Sequence, residues 1–310
     1  GIYFAKVIVF SVLFIYTIFY LIRSAPAIPS FGLMKKLLSY GLPIIPLILL
    51  MPFLTVSDRY FLHLFSSVED IGRYGIAYKF GMLINMLLVI PVQRSWGPQM
   101  FQVGNLIEEN KRIHTDITFY YSYIGLFIIL GLYLFAETIL LIFANEDYLS
   151  VSWVIPWISL AYFIGGFKIF LQASASIADR TDLFIKTGIY TIISNLLLNY
   201  ILIKNFSIQG AVASTILSYL ILVILLFFSS KRVSKIKWPI KRIIHGASIA
   251  FFLIITFYIL KKNDLDYEII IKVFLLILFP IISFLTNLIG NRELNGLRSL
   301  WNSFFKKVLA

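Results

Sequence analysis

Residues 208–242 read IQGAVASTILSYLILVILLFFSSKRVSKIKWPIKR, and this stretch decides the fold class. From Ile208 to Ser229 every residue is apolar, small or uncharged. That is enough for a helix to cross a hydrocarbon layer of about 30 Å. Lys231, Arg232, Lys235, Lys237, Lys241 and Arg242 follow, with no acidic residue among them. An apolar span that ends in such a cluster is expected to be a transmembrane helix whose basic end lies in the cytoplasm.

Similar runs recur on both sides of this stretch. Spans are predicted at about 3–22, 40–63, 72–97, 116–136, 150–173, 183–203, 208–229, 243–260 and 268–289, which makes an all-α membrane protein of about nine transmembrane helices. The composition agrees: 60% of the 310 residues are hydrophobic, 17% aromatic and only 14% charged, against about a quarter charged in a soluble domain. A β-barrel would instead show many ten-residue segments of alternating polarity.

The same composition narrows the chemistry. With no cysteine, disulfides, thiolate metal sites and a cysteine nucleophile are ruled out. His63, His114 and His245 fall in separate segments, and HExxH, GxxxxGK[ST] and GxGxxG are all missing, so neither a catalytic site, a metal site nor a cofactor is expected. The net charge of +12 would suggest nucleic acid in a soluble protein. Here its position relative to the membrane is what carries meaning, and no nucleic-acid partner is expected.

Placing the 23–39 loop in the cytoplasm puts sixteen Lys and Arg inside, Arg23, Lys35, Lys36 and the 231–242 cluster among them, against six outside. This bias sets the orientation, with the C-terminus cytoplasmic, and supports nine spans, because a missed or invented span would scramble the alternation. The N-terminus would then lie outside. With no Met at position 1 and no signal-peptide pattern, the chain reads as the distal portion of a longer protein.

Two stretches carry a family likeness. One runs from Tyr40-Gly41-Leu42-Pro43-Ile44-Ile45-Pro46 to Ser57-Asp58-Arg59-Tyr60-Phe61-Leu62, and the other is Glu69-Asp70-Ile71-Gly72-Arg73-Tyr74-Gly75-Ile76-Ala77-Tyr78-Lys79. They resemble the seventh and eighth helices of the O-antigen and polysaccharide-unit flippases in the multidrug/oligosaccharidyl-lipid/polysaccharide exporter superfamily. Ile208-Gln209-Gly210-Ala211-Val212-Ala213-Ser214 resembles the small-residue start of that family's twelfth helix.

The resemblance implies helices six to fourteen of a fourteen-helix, two-lobed, MATE-like transporter. Residues 1–22 would then be the last helix of a missing first lobe, 23–39 a cytoplasmic loop, and 40–230 a six-helix C-terminal lobe. Residues 231–242 would form a basic cytoplasmic loop and 243–310 a terminal helix pair with a basic tail. It further implies a flippase, not an enzyme, in the bacterial cytoplasmic membrane, moving undecaprenyl-pyrophosphate-linked oligosaccharide for O-antigen or capsule synthesis. Polymerase and chain-length proteins of the same pathway would be candidate partners beside membrane lipids. Half of the expected cavity would be absent from this chain.

A lipid-linked sugar unit needs cations for its pyrophosphate and amide or hydroxyl groups for its sugars, held away from lipid. Thr187, Thr191, Ser194, Asn195 and Asn199 fall at i, i+4, i+7, i+8 and i+12, one helical stripe. Such a stripe can line a cavity, or can join neighbouring helices at about 0.6 kcal/mol per bond. Lys79, about 12 Å inside its span at 1.5 Å per residue, shares a face with Met82, Met86 and Gln93. It is read as a cavity cation, the other reading being a lysine snorkelling to the headgroups. Lys168 is a further cavity candidate, whereas Arg94 and Lys186 are expected to snorkel.

Pro43, Pro46 and Pro52 make the second span a candidate hinge, and Asp58 and Arg59 at its outer end a candidate gate or a local ion pair. All fifteen carboxylates are expected in loops or near helix ends. An ion relay would then belong to the missing lobe.

Two other functions remain open. A polysaccharide polymerase or lipid-linked glycosyltransferase would need catalytic groups outside the membrane, and the external loops here are short. A multidrug exporter of the same superfamily shares the fold, but several cations without a buried anion suit an anionic cargo better.

Overall fold

The structure, a computed structural model, describes residues 2–24, 30–42, 45–102, 108–177, 182–231, 238–261 and 268–290. The chain divides into two units, Gly1–Pro43 and Ile44–Ala310. The first holds α1 (Ile2–Ser24), apolar on all sides and ending on Arg23. Its second helix, α2 (Phe31–Gly41), lies within the stretch expected as a loop. The Ser30 hydroxyl caps α2 by accepting from the Leu33 amide at 3.1 Å, one of the donors that a helix start leaves unpaired.

The second unit begins with α3 (Ile45–Phe65), joined by a two-residue turn to α4 (Val68–Gly81). A π-helical turn, Asn85–Val89, separates α4 from α5 (Ile90–Gln102). Its cause is Pro91, which has no amide hydrogen and whose ring would strike the carbonyl four residues earlier. Helix α6 (Glu108–Leu134) runs on past a break at Phe135 into α7 (Ala136–Phe143), longer than the expected span. A 3-10 turn, Glu146–Val151, capped by Asn145, leads into α8 (Val154–Gly166). Pro156 causes no kink there because it sits in the first turn, where an amide has no partner to lose. The break comes at Phe167, before α9 (Lys168–Ile177).

Helix α10 (Asp182–Lys231) holds two of the expected spans, separated by the non-helical Ser207 at φ 47° and ψ −124°. Its two arms run antiparallel, since Asn199 meets Ser214 and Asn195 meets Ser218, the partners receding equally from Ser207. A Cβ on Gly210 would strike the backbone of Leu202 and come within 2.7 Å of the Ile203 nitrogen. The small residues after Ser207 are therefore what lets the arms close. Helices α11 (Ile240–Lys261) and α12 (Glu268–Leu285) complete the unit.

Among the described residues seven helical stretches are long and apolar enough to cross a membrane. One of them, Lys186–Lys231, contributes two crossings through the turn at Ser207. Helix α3, with 21 residues including Pro52, Asp58 and Arg59, occupies the remaining expected span. In the second unit α10 packs on α3, α8 and α9, α4 on α8, and α11 on α6 and α12. The large buried residues at these crossings are tyrosines, Tyr74, Tyr78, Tyr121, Tyr162 and Tyr219, together with Phe170 and Phe279. Buried hydroxyls need partners that Leu or Phe would not; those of Tyr74, Tyr78, Tyr121 and Tyr162 have them, whereas that of Tyr219 does not.

Candidate functional site

The polar stripe of α10 lies inside the second unit, against α3. Thr187 and Thr191 are buried, and their hydroxyls donate to carbonyls of their own helix, Phe184 O at 3.1 Å and Thr187 O at 2.7 Å. Asn195 and Asn199 reach across to other segments. Ser57 Oγ on α3 donates to Asn195 Oδ1 (2.7 Å) and accepts from Asn199 Nδ2 (2.9 Å). Asn199 Nδ2 also donates to Asn195 Oδ1 at 3.2 Å, and Asn195 Nδ2 donates to Ser218 Oγ at 2.9 Å. Ser214 Oγ donates to Asn199 Oδ1 at 2.5 Å. These five residues form a closed seam joining α3 to both arms of α10. Ser194 is only partly buried, at the edge of the seam.

Asp58, next to Ser57, points the other way. It is 1% exposed and lies about 10 Å inside the end of α3 at 1.5 Å per residue. This corrects the expectation that all carboxylates sit in loops or near helix ends. Its Oδ2 accepts from the Tyr74 hydroxyl of α4 at 2.5 Å, and its Oδ1 from the Arg59 amide at 2.7 Å. No ion pair joins it to Arg59 among the described residues. The Arg59 guanidinium stands over the Tyr78 ring at 5.2 Å, within cation–π range. The Tyr78 and Tyr162 hydroxyls share a hydrogen bond of 2.9 Å, and the Tyr219 ring packs against that of Tyr162 at a tilt of 45°, centroids 5.7 Å apart. Asp58 and Arg59 thus belong to a tyrosine-lined core rather than to an open mouth.

Of the other candidates, Lys79 and Gln93 are exposed. They lie on a face of α4 and α5 that the second unit leaves uncovered, where Met86 is exposed and Gly72 and Gly75 have open space beside them. Arg94 and Lys186 are exposed as well. Lys168 opens α9 just after the break at Phe167 and is buried, with no hydrogen bond or ion pair among the described residues. The structure therefore does not bring Lys79, Lys168 and the α10 stripe together.

Among the candidate hinge prolines, Pro52 interrupts the interior of α3. Pro46 sits in its first turn, where proline is tolerated, and Pro43 lies outside the described residues.

Several functional candidates escaped the sequence reading. Ser57, Ser214 and Ser218 are indistinguishable in sequence from ordinary helix serines, although the i, i+4 spacing of Ser214 and Ser218 was a usable signal. Lys272 of α12 is 3% exposed, forms an ion pair with Glu268 at 2.7 Å and donates to Thr138 Oγ1 at 3.1 Å. Its place four residues after Glu268 could have suggested the pair. Among the described residues no group of His, Asp and Glu is placed to hold a metal.

Buried amide and hydroxyl seams of this kind tie neighbouring helices together inside a membrane. The comparisons agree on fold. The chain resembles the lipid II flippase MurJ in its inward closed conformation, with a TM-score of 0.64 and 17% identity, over 87% of this chain and 60% of that one. No curated protein matches it. The fold is thus that of a multi-pass membrane protein with a MurJ-like helical arrangement. Residues 1–103 match the family model described as polysaccharide biosynthesis protein.

Proposed function

We propose that this chain supplies the second lobe and terminal helix pair of a flippase for lipid-linked oligosaccharides in a bacterial cytoplasmic membrane. The observation that carries this reading is the polysaccharide-family match over residues 1–103 on a MurJ-like fold. The cargo is an undecaprenyl-pyrophosphate-linked unit for O-antigen or capsule synthesis, released toward polymerase and chain-length proteins. The basic loops and the C-terminus face the cytoplasm.

In this reading Lys79 and Gln93, on the uncovered face of α4 and α5, meet the pyrophosphate and the sugar. The cation acts as a point charge, because an ammonium lacks the fixed fork of a guanidinium. Lys79→Arg should therefore keep translocation, and Lys79→Gln, which retains length and polarity, should lose it. The assay is surface polysaccharide in a flippase-deficient strain expressing the full-length protein at normal levels. Normal polysaccharide from Lys79→Gln would end the electrostatic role.

A further inference from the structure

We infer that the cleft where α6, α8 and α11 meet holds one glycerophospholipid with a primary-ammonium headgroup, one acyl chain along α11 and the head between Glu137 and Lys261. The inference rests on the membrane-spanning reading and is independent of transport and of the cargo. All three helices contribute stretches long and apolar enough to cross a membrane, Arg112–Leu134, Val154–Gln172 and Ile240–Lys261. Ile244, Ala247, Ser248, Phe251 and Ile254 fall on one side of α11 at helical spacing. Between them and the facing sides of α6 and α8 lies a groove of about 530 Å³, within the range of ligand sites, about 300–1,000 Å³. Its depth comes from the small side chains of Ala247 and Ser248, and the Ser248 hydroxyl is turned back onto the Ile244 carbonyl at 2.9 Å. Trp157 and Phe251, 50% and 63% exposed, form its rim.

A second cavity, of about 310 Å³, continues the first, and Tyr133 and Pro156 line both. Its wall is polar where the groove is apolar: Lys261, the last residue of α11, pairs there with Glu137 of α7 at 2.5 Å, beside Ser152 and Trp153. The dimensions suit a lipid. From Ile244 to Ile254 the groove runs about 15 Å at 1.5 Å per residue, which is one leaflet's share of a hydrocarbon core of about 30 Å. The charged cavity then lies at headgroup level, where Trp and Tyr gather in membrane proteins, and Tyr133, Trp153 and Tyr258 line it.

The charges select the head. Glu137 and Lys261 together are neutral, and so is the adjoining pair of Glu268 with Lys272, which also donates to Thr138. A zwitterion can set its phosphate against the Lys261 ammonium and its own ammonium against the Glu137 carboxylate, exchanging one half-exposed ion pair, of the kind that contributes little, for two. A primary ammonium donates charge-assisted hydrogen bonds to the carboxylate, whereas a quaternary one has no N–H to donate. An anionic head would meet Glu137 with like charge.

The test uses the full chain, purified in detergent, stripped of lipid and offered equal amounts of phosphatidylethanolamine, phosphatidylcholine and phosphatidylglycerol, with bound lipid read by native mass spectrometry. One phosphatidylethanolamine should stay bound at several-fold higher occupancy than either of the others. Equal occupancy by all three would overturn the inference. Glu137→Gln, which keeps the size and removes the charge, should bring phosphatidylethanolamine down to the level of phosphatidylcholine, and undiminished preference would refute the contact with Glu137. Ala247→Trp fills the groove and should lower occupancy several-fold. Ser248→Phe does the same from an exposed position, which keeps the test open should Ala247→Trp fail to fold. Phosphatidylethanolamine held by the folded groove variants as firmly as by the parent would place the lipid elsewhere and overturn the inference.

Discussion

Asn199 shows how much one side chain can organise. It is 0% exposed, donates to Ser57 and Asn195 and accepts from Ser214, so its removal strips partners from three segments at once. Leaving buried polar groups unpaired costs about 1–3 kcal/mol each in general, though bonds between helices in a bilayer average nearer 0.6 kcal/mol. Asn199→Ala should therefore lower the unfolding free energy in detergent by about 1–2 kcal/mol. A cycle with Ser57→Ala should show coupling of about 0.5 kcal/mol or more, and strict additivity would mean the seam is not an energetic unit. The cavity role proposed for Thr187, Thr191, Ser194, Asn195 and Asn199 requires α3 to part from α10 during transport. Membrane-impermeant thiol reagents should then label Thr191→Cys and Asn195→Cys during transport faster than Ile193→Cys and Leu197→Cys, which lie on the exposed side of the helix. Equal protection of all four would leave the stripe with a packing role only.

Among the elements, the crossing of α4 and α8 depends on the size of one residue. A Cβ on Gly81 would lie 2.7 Å from Ile158 Cβ and 2.9 Å from Ile155 O, and Ser159 Oγ donates to the Gly81 carbonyl at 3.0 Å. The helices approach closely because glycine is there, and close approach is what makes van der Waals packing strong where no hydrophobic force separates helix from lipid. Gly81→Ala should destabilise by about 1–3 kcal/mol, the usual cost of overpacking, read as a fall in thermal midpoint in detergent. Ile158→Ala should recover only part of that loss, because it removes Cγ2 but leaves the Ile158 Cβ and the Ile155 carbonyl in the way. Full recovery would place the clash on Ile158 Cγ2 alone. Element boundaries follow equally local causes: Pro91 sets the π-turn, and Ser207 with Gly210 folds α10 back on itself.

For the whole molecule, the proposed orientation makes a direct prediction. In intact cells expressing the full-length protein, Lys235→Cys should be reached by membrane-impermeant thiol reagents only after the cytoplasmic side is opened, whereas Asn145→Cys should label from outside. Asn145 caps the short turn between α7 and α8. Lys235 lies outside the described residues, so its side of the membrane is inferred from charge alone. Outside labelling of Lys235→Cys would invert the proposed topology. The chain spans 60% of the length of the MurJ structure it resembles, so both variants belong in the complete protein.

The membrane class, the approximate spans and the charge bias could be read from sequence because each depends on a local sum. The transfer energy of about twenty residues, or a count of Lys and Arg near a span, needs no knowledge of neighbours. The seven apolar helical stretches and the arms of α10 follow those sums. What a polar residue does was beyond such sums. Ser57 and Asn195 are 138 positions apart, and only packing shows that each satisfies the other. Asp58 read as an end-of-helix charge until Tyr74 was placed against its carboxylate. Lys79 and the α10 stripe looked alike as intramembrane polar groups, yet tertiary structure leaves one on an uncovered face and joins the other to α3. The physical reason is that burying a polar group is unfavourable or favourable according to its partner, and the fold alone supplies that partner.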